Sequence, residues 1–153
     1  MKLESSLWMM LLPVLIATPA AATARFDCSI ADANLALEAS GLVSDGLGGV
    51  ITGFEGTLSL STKLLGEPLP AFPLTRENLP HHWLFDDDFR LHVHVPAPEE
   101  TSLGDLDLLL TTKADQQDET RFAGEYLLRL LATGHDGLEV KSEYRGPVSC
   151  VMG

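Results

Sequence analysis

The sequence predicts a mostly β chain, folded as one small antiparallel sandwich or barrel. Three observations carry that reading. Short runs in which apolar and polar residues alternate recur along the chain from Phe54 onward. Clusters of Gly, Pro and Asp separate those runs, as turns separate strands. The length, 153 residues, suits a single hydrophobic core.

Residues 1–24 read as a cleaved secretory signal. Leu7 to Ala17 is an apolar run of eleven residues behind Lys2, and Ala22-Thr23-Ala24 has the small-x-small pattern of a signal-peptidase site. The run falls well short of the roughly 20 apolar residues of a membrane span. Cleavage after Ala24 leaves 25–153 as a single β-rich domain, periplasmic or secreted. In such an oxidising compartment the 2 cysteines, Cys28 and Cys150, are expected to form a disulfide.

The elements follow in order. Six glycines between residues 41 and 56 predict a loop or hairpin with positive φ. A phosphate-cradling loop would need a Lys-Ser/Thr pair or Rossmann spacing, and the segment has neither. Phe54 starts a strand in which Leu58 and Leu60 alternate with Thr57, Ser59 and Ser61. Residues 66–83 contain four prolines and read as an irregular crossing, with one helical turn near Thr75 to Leu79. The clearest strand is Phe89 to Val95, with Phe89, Leu91, Val93 and Val95 on one face and Arg90, His92 and His94 on the other. Leu106 to Thr112 alternates acceptably, although its leucines also suit a helix.

Residues 119–132 carry two competing patterns. As a strand they put Phe122, Gly124, Tyr126, Leu128 and Leu130 on one face, and turn signals flank them on both sides. As a single helix they would align Phe122, Ala123, Tyr126, Leu127, Leu130 and Leu131. The flanking turns favour the strand. Leu138, Val140, Ser142 and Tyr144 form one face of a further strand, and Val148 and Cys150 belong to a last short one after Gly146-Pro147.

Charge narrows the functions. With 22 Asp plus Glu against 10 Lys plus Arg, the net charge is −12, which disfavours nucleic acid and anionic membrane surfaces as partners. No GxSxG elbow and no CxxC pair is present, so no catalytic residue is assigned. The one concentration of ligand-type side chains is His81, His82, Asp86, Asp87, Asp88, His92 and His94. His92 and His94, two apart on a strand, point to one side and could offer two nitrogens to zinc or copper(II). His82, Asp86 and Asp88 would complete that set. The same residues also describe a solvated strand face and a polar turn. Trp83, Phe85 and Phe89 read either as an exposed aromatic patch for a ligand or as core, and the core is favoured because Phe89 is in phase with Leu91 and Val93. The function expected is an exported, non-catalytic domain that binds a protein partner or a small ligand. A divalent metal-binding protein built on residues 81–94 is the alternative.

Overall fold

The computed structural model describes residues 23–44, 49–99, 101–133 and 136–153. Most of the predicted signal segment therefore lies outside the described residues, as do Gly46, Gly48, Gly134 and His135. Nine strands are described: Thr23–Ala31 (β1), Leu35–Ser44 (β2), Val50–Leu60 (β3), Phe72–Leu74 (β4), His81–Phe85 (β5), Asp88–Val95 (β6), Leu103–Ala114 (β7), Arg121–Thr133 (β8) and Glu139–Met152 (β9). All pair antiparallel in one sheet of order β4-β3-β2-β1-β9-β8-β7-β6-β5, which curls into a half-barrel. The chain is a single domain.

The topology has a simple logic. Strands β1 to β4 step outward in one direction and β9 to β5 in the other, so neighbours in each half are also neighbours in sequence. The halves meet where β1 pairs β9, over Phe26 to Ser29 against Ser149 to Met152. In the middle of that short junction Cys28 lies opposite Cys150, and the two form a disulfide. On the far side the edges β4 and β5 are joined through residues 75–80, which include a 3₁₀ turn at Arg76–Asn78 where the sequence predicts one. Strand β4 is only three residues long and carries Pro73, two devices that blunt an exposed sheet edge.

Curling places every second side chain inside. A chain of aromatic rings runs through the interior: Phe26 lies 6.4 Å from Phe54 and 5.2 Å from Phe89, which lies 5.9 Å from Phe122. Leu37, Leu58, Leu91, Leu108, Leu128 and Tyr126 fill the space around them, each at most 2% exposed. Phe26 needs room on β2. A Cβ at Gly41 would lie 2.7 Å from its ring, so that position admits glycine alone without a shift. Opposite Gly41, Gly53 and Phe54 form a bulge between the pairs Ser40–Glu55 and Leu42–Thr52. Gly53 takes φ +61°, and the extra residue resets the alternation so that Ile51 and Phe54 both point inward.

Several expectations change. Of the predicted loop or hairpin 41–56, Gly41 sits in β2 and Gly53 and Gly56 in β3, flanking a β2–β3 connection. The strand favoured for 119–132 is found, as β8 over Arg121–Thr133, with Glu119 and Thr120 in the turn before it. The two predicted C-terminal strands are one, because β9 runs unbroken through Gly146-Pro147. Proline is tolerated at this point since β1 covers only Ser149 to Met152, leaving β9 with β8 alone beside Pro147. Gly146 makes room for the carboxylate of Asp32, which a Cβ would approach to 2.4 Å. That carboxylate accepts the Tyr126 hydroxyl (2.6 Å) and the Leu35 amide (3.0 Å), holding the β1–β2 turn against β8. Burial, reinforced by the Asp32 hydrogen bond, pushes the Tyr126 pKa up to about 12. Trp83 and Phe85 are not core residues; they are 54% and 71% exposed.

Candidate functional site

The hairpin β5–β6 decides the fate of residues 81–94. Its two-residue turn, Asp86-Asp87, sets Phe85 opposite Asp88, Leu84 opposite Phe89 and His81 opposite His92. Asp86 adopts φ +56°, a left-handed conformation that Asp tolerates better than most residues. Because Phe89 is inside, Leu84 and His82 turn inward while His81, Trp83 and Phe85 join Asp88, Arg90, His92 and His94 outside.

The five predicted metal ligands are thereby separated. His92 and His94 do share the outer face, but both ring nitrogens donate to Oδ1 of Asp107 on β7, at 2.7 and 3.1 Å. These hydrogen bonds hold the Asp107 carboxyl below its usual range against the opposing effect of burial. Asp88 pairs with Arg90, roughly 20 Å along the strand from His94. Asp86 lies on the turn and His82 on the opposite face of the hairpin. Among the described residues no group of three or more His, Cys, Asp or Glu side chains is placed to hold a metal ion.

His82 does something else. It reaches across the gap between β5 and the start of β3, where the Ile51 amide donates to its Nε2 over a long 3.4 Å. Its Nδ1 is buried with no hydrogen-bond partner. Burial lowers the imidazole pKa, and the neighbouring charges of Arg76 and His81 lower it further, against a backbone contact with Gly49 that raises it. The neutral ring is therefore the one that fits the seam. Between the folded value and the ordinary value of 6.5 the unfolded chain binds more protons, so His82 makes stability fall as pH drops through that window. His82→Gln should flatten the difference in urea midpoint between about pH 7.5 and about pH 5.5. An undiminished pH dependence in that variant would remove His82 as its source.

The end of the half-barrel where β1, β3 and β8 begin holds an open cleft of about 520 Å³. Leu84, Phe122, Ala24 and Met152 line it, with Phe85, Asp86, Glu119 and Thr120 at its margins. Turns built by short-range hydrogen bonds position that rim. Asp115 accepts the Gln117 amide at 2.7 Å, and Asp118 accepts the Thr120 amide at 3.1 Å and pairs with Arg121. Backbone bonds from Met152 to Thr120 and from Ala114 to Asp87 tie the two turns to β9 and β7. Phe122 is 4% exposed and belongs to the core, so the cleft is a continuation of the interior toward solvent.

A second hollow, of about 810 Å³, lies over β1 to β3 on the outer face. It is lined by Asp27, Glu38, Glu55 and Thr57 together with Arg25 and the apolar Leu74 and Val151, and it is the saddle that a twisted sheet presents on its outside. The end cleft is the more apolar of the two, which favours it as a small-molecule site. No described helix is long and apolar enough to cross a membrane. No family model, curated protein or solved structure matches the chain.

Proposed function

We propose that the protein is an exported binding domain that holds a small, largely apolar ligand in the end cleft. The observation that carries this reading is the cleft itself: an apolar recess of ligand size, opening from the core, with a 71%-exposed phenyl ring at its mouth. Large aromatic side chains left in water favour a role in contact with something else. Export is supported by the apolar run before Ala22-Thr23-Ala24 and by the disulfide, which an oxidising compartment sustains.

The test is uptake of Nile red, a neutral apolar dye, by protein recovered from the exported fraction. Binding at one dye per chain is expected, with at least a several-fold loss in Phe85→Ser. Phe85 is too exposed for that change to move the melting temperature appreciably. Equal dye binding by both proteins would contradict the reading. Export itself predicts that the recovered chain begins at or near Arg25, which takes Thr23 and Ala24 off the start of β1 and leaves Leu84, Phe122 and Met152 as the apolar wall of the cleft.

A further inference from the structure

We infer that the ligand of the end cleft is a cationic amphiphile, an apolar chain or ring system bearing one amine or quaternary ammonium group. The inference rests on the cleft being a binding site, and it follows from the charges at the rim. Leu84, Phe122 and Met152 supply an apolar floor, whereas the charged side chains of the lining are Asp86 and Glu119, both acidic. Other acids at this end are already neutralised. Asp87 faces Lys113 at 3.7 Å, Asp88 pairs with Arg90, and Asp118 pairs with Arg121 at 3.1 Å. Neither Asp86 nor Glu119 has a Lys or Arg partner among the described residues, and the α-ammonium that cleavage leaves on Arg25 lies against the Gly153 carbonyl instead.

A ligand with an anionic head would set its charge beside two carboxylates, a repulsion worth up to a factor of several per charge near a protein surface. A cationic head gains by the same amount. The aromatic rings point the same way. Phe85 stands at the cleft, with Trp83 tilted against it at 46° and a centroid distance of 6.2 Å, and an aromatic face attracts an ammonium group. The net charge of −12 adds a long-range field of the matching sign.

Calorimetric titration with three decyl probes below their micelle concentrations tests the inference: decyltrimethylammonium, decyl sulfate and decanol. The cationic probe should bind at least about ten-fold more tightly than the anionic one. The double variant Asp86→Asn/Glu119→Gln should weaken the cation about ten-fold and leave decanol unchanged. Added salt should erode the preference, since these carboxylates face water. Equal binding of all three probes, unaffected by the double variant, would overturn the charge inference while leaving the cleft as a binding site. Failure of every probe to bind would overturn the cleft reading as well.

Discussion

Replacing Cys28 and Cys150 together by alanine is expected to cost roughly 4–5 kcal/mol of stability. The two cysteines are 122 residues apart in sequence, so their bond shortens the unfolded chain across nearly the whole domain. The fold makes the site matter further. The β1–β9 junction has four residue pairs, whereas every other joint between neighbouring strands of the sheet is a local, sequence-adjacent connection. Guanidinium unfolding of the wild type and the variant, both without reductant, should show the variant's midpoint shifted far down. A 4 kcal/mol loss corresponds to a fall in Tm of roughly 10–20 °C at this domain size. An unchanged midpoint would mean that β1 and β9 hold together through backbone pairing and core contacts alone.

Phe89→Ala is the second large effect. Phe89 is 1% exposed and edges both Phe26 and Phe122, so it links the β1 half of the interior to the β8 half. Truncating a buried phenylalanine removes its transfer free energy and leaves a cavity, together about 3–5 kcal/mol. Phe85→Ala, four residues earlier in chain order and exposed, should change stability by less than about 0.5 kcal/mol. Urea denaturation of the pair checks both. Similar losses from the two substitutions would contradict the assignment of Phe89 to the inside and Phe85 to the outside.

That contrast between Phe85 and Phe89 also marks how far the sequence can be read. Strict alternation over Phe89 to Val95 is legible because polar and apolar residues trade places without exception, and β6 appears where expected. Strand β8 is harder, since leucines satisfy helix and strand alike; the turns on either side resolve it. The sequence reading assigns no strand to β1 or most of β2. Their alternation is present in the sequence, with Phe26, Cys28 and Ile30 inward around Asp27 and Ser29, but in β2 the apolar Ala36 and Leu42 fall on the outer face and blur it. Trp83 and Phe85 go wrong for a different reason. Hydrophobicity alone suggests burial, while the two-residue turn at Asp86-Asp87 fixes their phase opposite Arg90 and Asp88.

The candidate sites divide in the same way. Placing His92 and His94 on one outer face needs only the period of a strand. Their shared partner Asp107 comes from the next strand, and nothing local in the sequence pairs Asp107 with His94. The end cleft collects residues from β1, β5, β8 and β9, from two turns and from Gly49 just ahead of β3, so it exists only once the sheet order is known. Its one sequence-level trace is the placement of Phe85 immediately before a run of three aspartates.

The measurement that tests the cleft most directly is backbone amide NMR during titration with decanol, which carries no charge to bias the result. The expected perturbations cluster on Gly49, Leu84, Phe85, Asp86, Thr120, Phe122 and Met152, residues far apart in sequence that meet only at the end of the half-barrel. Perturbations centred instead on Glu38, Glu55 and Thr57 of the outer saddle, or none at concentrations that bind Nile red, would contradict it.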